Sequence, residues 1–332
     1  MPADRPGLRM ATSADLTAVG DALGLPPAAL APALVEPAAR ALVGSEGQVV
    51  LLRRQWAHDS DAEAVVVRRR GVPLDHPDVL AVAVGWGCTR VRHLASDRWV
   101  AVPGPSGGAP LPVRFLHFAA LAATRVETLA AVARLEGETH PEAVDALAQA
   151  AAVPVLHRLG VPVLSEGAGD QPPVGDGPWI ALDPLGGTRS AAMGLPPWAF
   201  SAALVQGGRP VAGLVADLSS GRRWTAVRSL GAWRDGMPVR PRTDAAVPGA
   251  VRVTGCTAVD LCLVADGAVA AGRDVDRTGR HVRDVAGGLA VLMAAGGTAL
   301  TPDGGPLELR PGAVVRFVAA ADETAARELI AR

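Results

Sequence analysis

Apolar positions recur along this chain with two different periods, and the changes of period mark out its elements. Residues 13–43 carry the spacing of one or two helices, with Ser13 placed to cap the first and Pro26 suited to the first turn of a second. Short apolar runs then follow at Gln48–Trp56, Ala62–Arg70 and Val79–Trp86, each the length of a strand. The stretch PGPSGGAPLP at Pro103–Pro112 has no period at all and reads as a connector. The pattern therefore predicts a small α+β domain over residues 1–105, a linker at 106–112 and a second domain over 113–332.

The second domain opens with a strong helix, Val113–Leu135, rich in Ala and Leu. Pro141–Leu159 predicts another helix, interrupted near Pro154, and Val161–Ser165 a short strand that ends at Glu166. Strands and turns alternate next: Trp179–Leu182, Trp198–Val205, Pro210–Leu218, Arg223–Val227 and Gly231–Arg234, the second and third joined by a hairpin turn at Gln206–Arg209. Val251–Gly255 predicts a strand leading into a helix at Cys256–Val264. Asp284–Ala295 predicts a helix stopped by Gly296 and Gly297.

Composition narrows the class. Half of the 332 residues are apolar (49%) and the mean hydropathy is +0.24, so material for a core is ample. No apolar run approaches the roughly 18 residues of a membrane span. Met1–Arg9 is followed by no signal-type apolar core, so a cytoplasmic location is expected. With 32 basic and 33 acidic residues the net charge is −1, which offers nothing to nucleic acid. The chain contains no Lys, which excludes a lysine Schiff base. Cys88, Cys256 and Cys262 form neither a CxxC pair nor a zinc spacing, and read as buried thiols in a reducing compartment. The basic clusters of the first domain (Arg53 and Arg54; Arg68, Arg69 and Arg70; Arg90 and Arg92) read as charge-protected strand edges.

Candidate chemistry gathers in Trp179–Ser190, WIALDPLGGTRS. A buried strand ends in Asp183, Pro184 closes the ladder, Gly186 and Gly187 permit a tight path, and Thr188 presents a hydroxyl. Such a turn can hold a hard cation or a phosphate; it can equally be a plain strand-turn with a capping hydroxyl. Glu166 and Asp183 at strand ends, and Asp284 at a helix start, can converge on one cleft. Asp284 is also explained by the helix dipole alone. His140 and His281 lie beside these motifs and fit either acid–base or structural roles. In the first domain His58, Asp59, His76 and Asp78 have no recognisable spacing.

The order SE, DPLGGT, a strand meander containing Gly208–Val215, VTGCTAVDLCLVADGAVAAGRDV and GRHVRDVAGGLAVLMAAGG resembles the inositol monophosphatase family, over about residues 113–332. The resemblance implies an α/β (α+β) layered αβαβα sandwich preceded by the small α+β domain. It implies a Mg²⁺-dependent phosphomonoesterase acting on a sugar, cyclitol or nucleotide phosphate, a small phosphorylated metabolite as partner, and a homodimer as the family's common form. By the same resemblance Glu166, Asp183, the Leu185 carbonyl and Asp284 are metal ligands. Thr188 and Glu166 are the catalytic pair, Thr188 orienting the attacking water. Gly187, Thr188, Gly255, Cys256, Thr257, Arg277 and Asp284 line the substrate pocket.

Several positions depart from the family pattern. Gly167 and Gly186 stand where carboxylates belong, Arg283 replaces the Trp before Asp284, and Arg277 lies near the absent inositol-reading acid. The upstream acidic motif is reduced to Glu138, Thr139 and Glu142. These changes imply one retained Mg²⁺ and a weakened second, with Arg189, Arg277 and Arg283 as candidate fixed cations or solvated arginines. The alternative is a non-hydrolytic binding or biosynthetic protein on the same fold, so enzymatic activity stays open.

Overall fold

The computed structural model describes residues 9–10, 40–43, 49–55, 62–69, 88–93, 98–101, 110–135, 140–166, 175–235, 237–243, 254–276 and 278–331. The chain divides into two compact units, Met1–Arg114 with Gly236–Pro238, and Phe115–Asp235 with Val239–Arg332. In the first, six strands lie in chain order: β1 (Arg9–Met10), β2 (Arg40–Val43), β3 (Val49–Gln55), β4 (Ala62–Arg69), β5 (Cys88–His93) and β6 (Trp99–Ala101). All neighbours are antiparallel except β4 and β5. The helical reading of 13–43 is corrected at its end. Arg40–Val43 is a strand because its backbone pairs antiparallel with Val50–Arg53 of the next strand, β3, a hairpin ladder that a helical period does not encode. The rest of that helical stretch, and Val79–Trp86, lie outside the described residues.

The second unit carries helices α1 (Leu111–Leu135), α2 (Pro141–His157), α3 (Thr188–Met193), α4 (Thr257–Ala265), α5 (Val282–Ala294) and α6 (Glu323–Ile330). Its strands are β7 (Val163–Leu164), β8 (Trp179–Gly186), β9 (Ala199–Gln206), β10 (Arg209–Asp217), β11 (Arg223–Val227) and β12 (Gly231–Arg234). After β13 (Met237–Pro238) come β14 (Ala271–Asp274), β15 (Arg280–His281), β16 (Thr298–Leu300), β17 (Val314–Val315) and β18 (Phe317–Ala320). Six of the seven strands of the main sheet run β12-β11-β10-β9-β8-β7, antiparallel except for β7 beside β8. A three-stranded sheet, β14-β18-β16, and a β15–β17 pair complete the unit.

Alternation along β11 places helices on both faces of the sheet. Trp224 belongs to the core cluster formed with α4 and α5, including Val259, Leu261, Val285 and Leu289. Arg223, on the opposite face, donates to Glu127 of α1 at 2.6 Å. Two glycines let α5 lie close to its neighbours. A Cβ at Gly287 would collide with the Ser201 hydroxyl of β9, and one at Gly288 would stand 2.7 Å from the Ala258 carbonyl of α4. This is the mixed sheet with flanking helices expected of the α/β sandwich.

Three boundaries differ from expectation. Helix α2 runs unbroken through Pro154, because buried Ala151, Ala152, Val155 and Leu156 hold it against its surroundings despite the lost backbone bond. The strand expected at Val161–Ser165 shrinks to Val163–Leu164, which stand opposite Ile180 and Ala181 of β8. Residues 251–253 of the expected Val251–Gly255 strand lie outside the described residues, and Thr254 and Gly255 are not strand.

Candidate functional site

The site begins with an irregularity in the sheet. Strand β8 pairs with β9 as far as Asp183 opposite Ser201, then slips before Gly186 meets Ala199. Directly opposed residues of an antiparallel pair share a face. Ser201 faces α5, so Asp183 is turned toward the start of that helix, where Asp284 lies in the first turn. Pro184 cannot donate to the ladder, and the chain leaves the sheet through a turn. Asp183 Oδ1 accepts from the Leu185 N–H at 3.2 Å, and Thr188 Oγ1 donates to the Leu185 carbonyl at 2.8 Å. Gly187 has φ +81, and a Cβ there would stand 2.9 Å from the Pro197 carbonyl, so only glycine fits this position unstrained.

A cavity of about 570 Å³ opens over this turn, lined by Pro141, Glu142 and Asp145 of α2, Glu166, Gly187 to Ser190, and Gly255. The sequence offers Glu138, Thr139 and Glu142 as the upstream acidic remnant, and the structure adds Asp145. Glu142 does line the cavity; Glu138 and Thr139 lie outside the described residues. Glu142 and Asp145, three apart, share one face of α2, but which face meets the site is set by packing rather than by spacing.

The acids of the site influence one another. Burial pushes the Asp183 carboxyl well up, and the charges of Asp284 and Asp145 push it further, although part of the residue still meets solvent. The Leu185 N–H and the Arg283 charge work in the opposite direction. Asp145 is raised by burial and by Glu166, opposed by a hydrogen bond with Gln149 and by Arg283. Gln149 in turn accepts from Ser165 Oγ at 3.2 Å. Asp284 is also raised by burial, opposed first by Arg283, then by His281 and its backbone N–H. One guanidinium thus bears on all of them. Arg283 Nη2 stands 3.3 Å from Glu166 Oε1, and its Nε stands 3.6 Å from Asp284 Oδ1.

Among the residues read from the sequence, Glu166, Asp183, Leu185, Thr188 and Asp284 therefore come together, with Gly187, Thr188 and Gly255 on the cavity wall. Cys256 is instead buried in the core cluster, its thiol pushed up to about 12 by burial, and Thr257 begins α4. Neither lines the cavity. Arg189 and Ser190 do. Gly167 and Arg277 lie outside the described residues. His281 caps α5 through its position; His140 precedes α2. Cys256 and Cys262 are free, buried thiols.

All-oxygen donors suit Mg²⁺ in kind, but their arrangement does not suit a pair of ions. Among the described residues no three His, Cys, Asp or Glu side chains are grouped to hold a metal. The Leu185 carbonyl already accepts the Thr188 hydroxyl, Arg283 stands between Glu166 and Asp284, and position 186 brings no carboxylate. The Asp183 carboxylate leans over the bare Gly186, with Oδ2 only 2.6 Å from where a Cβ would be.

The sequence profile of the Inositol monophosphatase family matches residues 121–250 and 241–332. The chain is 31% identical over 168 residues to a probable inositol 1-monophosphatase, ImpA, of Mycobacterium tuberculosis, covering 40% of this chain and 61% of that protein. It is 30% identical over 186 residues to a fructose-1,6-bisphosphatase/inositol-1-monophosphatase of Archaeoglobus fulgidus, covering 50% of this chain and 72% of that one. The fold is that of the inositol monophosphatase from Anabaena, with a TM-score of 0.57 at 23% identity over 65% of this chain and 95% of that chain.

Proposed function

The chain belongs to the inositol monophosphatase family, and on that footing we propose that its second unit takes a small phosphomonoester into the Thr188 cavity and hydrolyses it. The family is one of phosphatases for small phosphorylated substrates, in general metal-dependent. The proposed substrate is a sugar, cyclitol or nucleotide phosphate. The observation that carries the reading is the convergence of four chain segments: Asp145, Glu166 and Thr188 line one cavity, and Asp183 and Asp284 lie close enough to act on one another and on these acids through their charges.

The chain's own groups divide the work. Arg189, Ser190 and Thr188 are the polar groups available to phosphate oxygens on one wall. Glu166 and Asp145, on the other wall, can accept the proton of a water held against the phosphorus. In-line attack then expels the alkoxide, which takes up a proton and leaves as the alcohol. Phosphoryl transfer is limited by neutralising charge on the phosphate oxygens rather than by making a nucleophile. Fewer cations at that place mean slow turnover.

A second reading, binding without hydrolysis, is favoured by one contact. The Arg283 guanidinium faces Glu166 and Asp284, and Arg283 is not among the residues that line the cavity. A panel of phosphomonoesters, with and without Mg²⁺, separates the two. Phosphate release above that of an Asp183→Ala control supports hydrolysis. Saturable binding by calorimetry with no release leaves the binding reading alone.

A further inference from the structure

We propose that Arg283 is the built-in counter-ion of this acidic centre, and that Arg283 and a divalent cation exclude one another there. The inference rests on reading the cavity as the acidic centre of the phosphatase fold. Its first support is position. Arg283 lies in the opening turn of α5, the end of a helix where a positive charge is disfavoured by the macrodipole. The helix does not explain it; the carboxylates on either side do. Nη2 and Nε reach Glu166 and Asp284 at 3.3 and 3.6 Å, and the arginine side chain is 21% exposed against 68% for Glu166. The guanidinium is thus the more deeply placed partner, with its planar edge turned along the acids.

The second support is charge. Gly186 carries no carboxylate and leaves the Asp183 oxygen to fill its space. A centre short of one acid needs less positive charge, and a single guanidinium supplies less than two divalent ions would. A divalent ion would need oxygens of Glu166 and Asp284 that already face Arg283. It would also meet a like charge at close range. The two occupants therefore compete for the same oxygens.

The test is Mg²⁺ binding to the full chain by isothermal calorimetry, together with thermal unfolding in EDTA and in excess Mg²⁺. Removing a like charge beside an ion is expected to tighten binding by about tenfold or more. Arg283→Gln should bind Mg²⁺ that much more tightly than wild type and gain melting temperature from it. Arg283→Lys keeps the charge and should bind as weakly as wild type. Equal Mg²⁺ affinity in wild type and Arg283→Gln overturns the proposal. If Arg283→Gln does not fold, Arg283→Met, which keeps the apolar stem, takes its place. Tight Mg²⁺ binding by wild type overturns the proposal whatever the variants do. The readout is independent of turnover. A gain of Mg²⁺ binding in Arg283→Gln together with no phosphate release by wild type would remove the hydrolysis reading and leave this one standing.

Discussion

Giving position 186 a side chain should disturb the acidic centre by a calculable amount. A Cβ there would lie 2.6 Å from Asp183 Oδ2, 3.4 Å from Asp183 Cγ and 3.5 Å from the Ala199 carbonyl. The backbone of β9 is fixed by its ladder, so the Asp183 carboxylate must rotate. Rotation releases the Leu185 N–H, now held at 3.2 Å. That bond is worth about 1 kcal/mol net, and a displaced rotamer costs about 0.5–1.5 kcal/mol. Replacing glycine returns about 0.4–1 kcal/mol by restricting the unfolded chain. Gly186→Ala should therefore be less stable by about 1 kcal/mol, lowering the melting temperature by roughly 2–4 °C for a unit of this size. Gly186→Asp adds a carboxylate beside one already pushed up by Asp284 and Asp145. Its unpaired charge should lower stability by about a further 1–3 kcal/mol at neutral pH in EDTA. Calorimetric or circular-dichroism melting of the three proteins decides it. An alanine variant melting at or above wild type would refute the account of Gly186 as the space taken by Asp183. So would an aspartate variant no less stable than the alanine one.

Two further outcomes are expected. The Asp183 carboxyl is raised in the folded protein, so between its ordinary value and the raised one the native state binds more protons than the unfolded state. Its contribution to stability is therefore lost as pH rises through that window toward neutrality. Asp183→Asn should flatten this part of the melting-temperature profile and melt above wild type at neutral pH; an unchanged slope would contradict it. Burial pushes the Cys256 thiol up to about 12 and raises Cys262 as well, so neither should be alkylated in the native protein at mildly alkaline pH. Peptide mapping after brief treatment with iodoacetamide would detect labelling of either, and that result would mean the α4 packing is wrong.

The parts of the fold that were legible in the sequence are those whose pattern is local. The β9–β12 meander follows from alternating apolar residues around Gln206–Arg209, and α5 from its apolar period and its Gly296–Gly297 stop. Asp183 was legible because a strand, a proline and two glycines surround it. Asp145 was not, because nothing in PEAVDALAQ says which face of α2 meets β7 and β8; that is decided by tertiary packing. From the sequence Arg283 is either a fixed cation or a solvated arginine. Its pairing with Glu166 joins residues far apart in the chain, and only the fold brings them together. Pro154 misled in the other direction, since local chemistry argued for a break that the buried side of α2 overrides.

The glycine pair in α5 has a bearing on how such a centre can change over generations. With Gly287 against β9 and Gly288 against α4, the helix is wedged from two sides and its first turn cannot slide. The absence of a side chain at Gly186 cannot be made up by the helix shifting toward that space. Any compensation has to come from exchanging one side chain for another on an immobile frame. Positions 186 and 283 then behave as sockets. A substitution at either place would then change the charge of the centre without rebuilding the core around it.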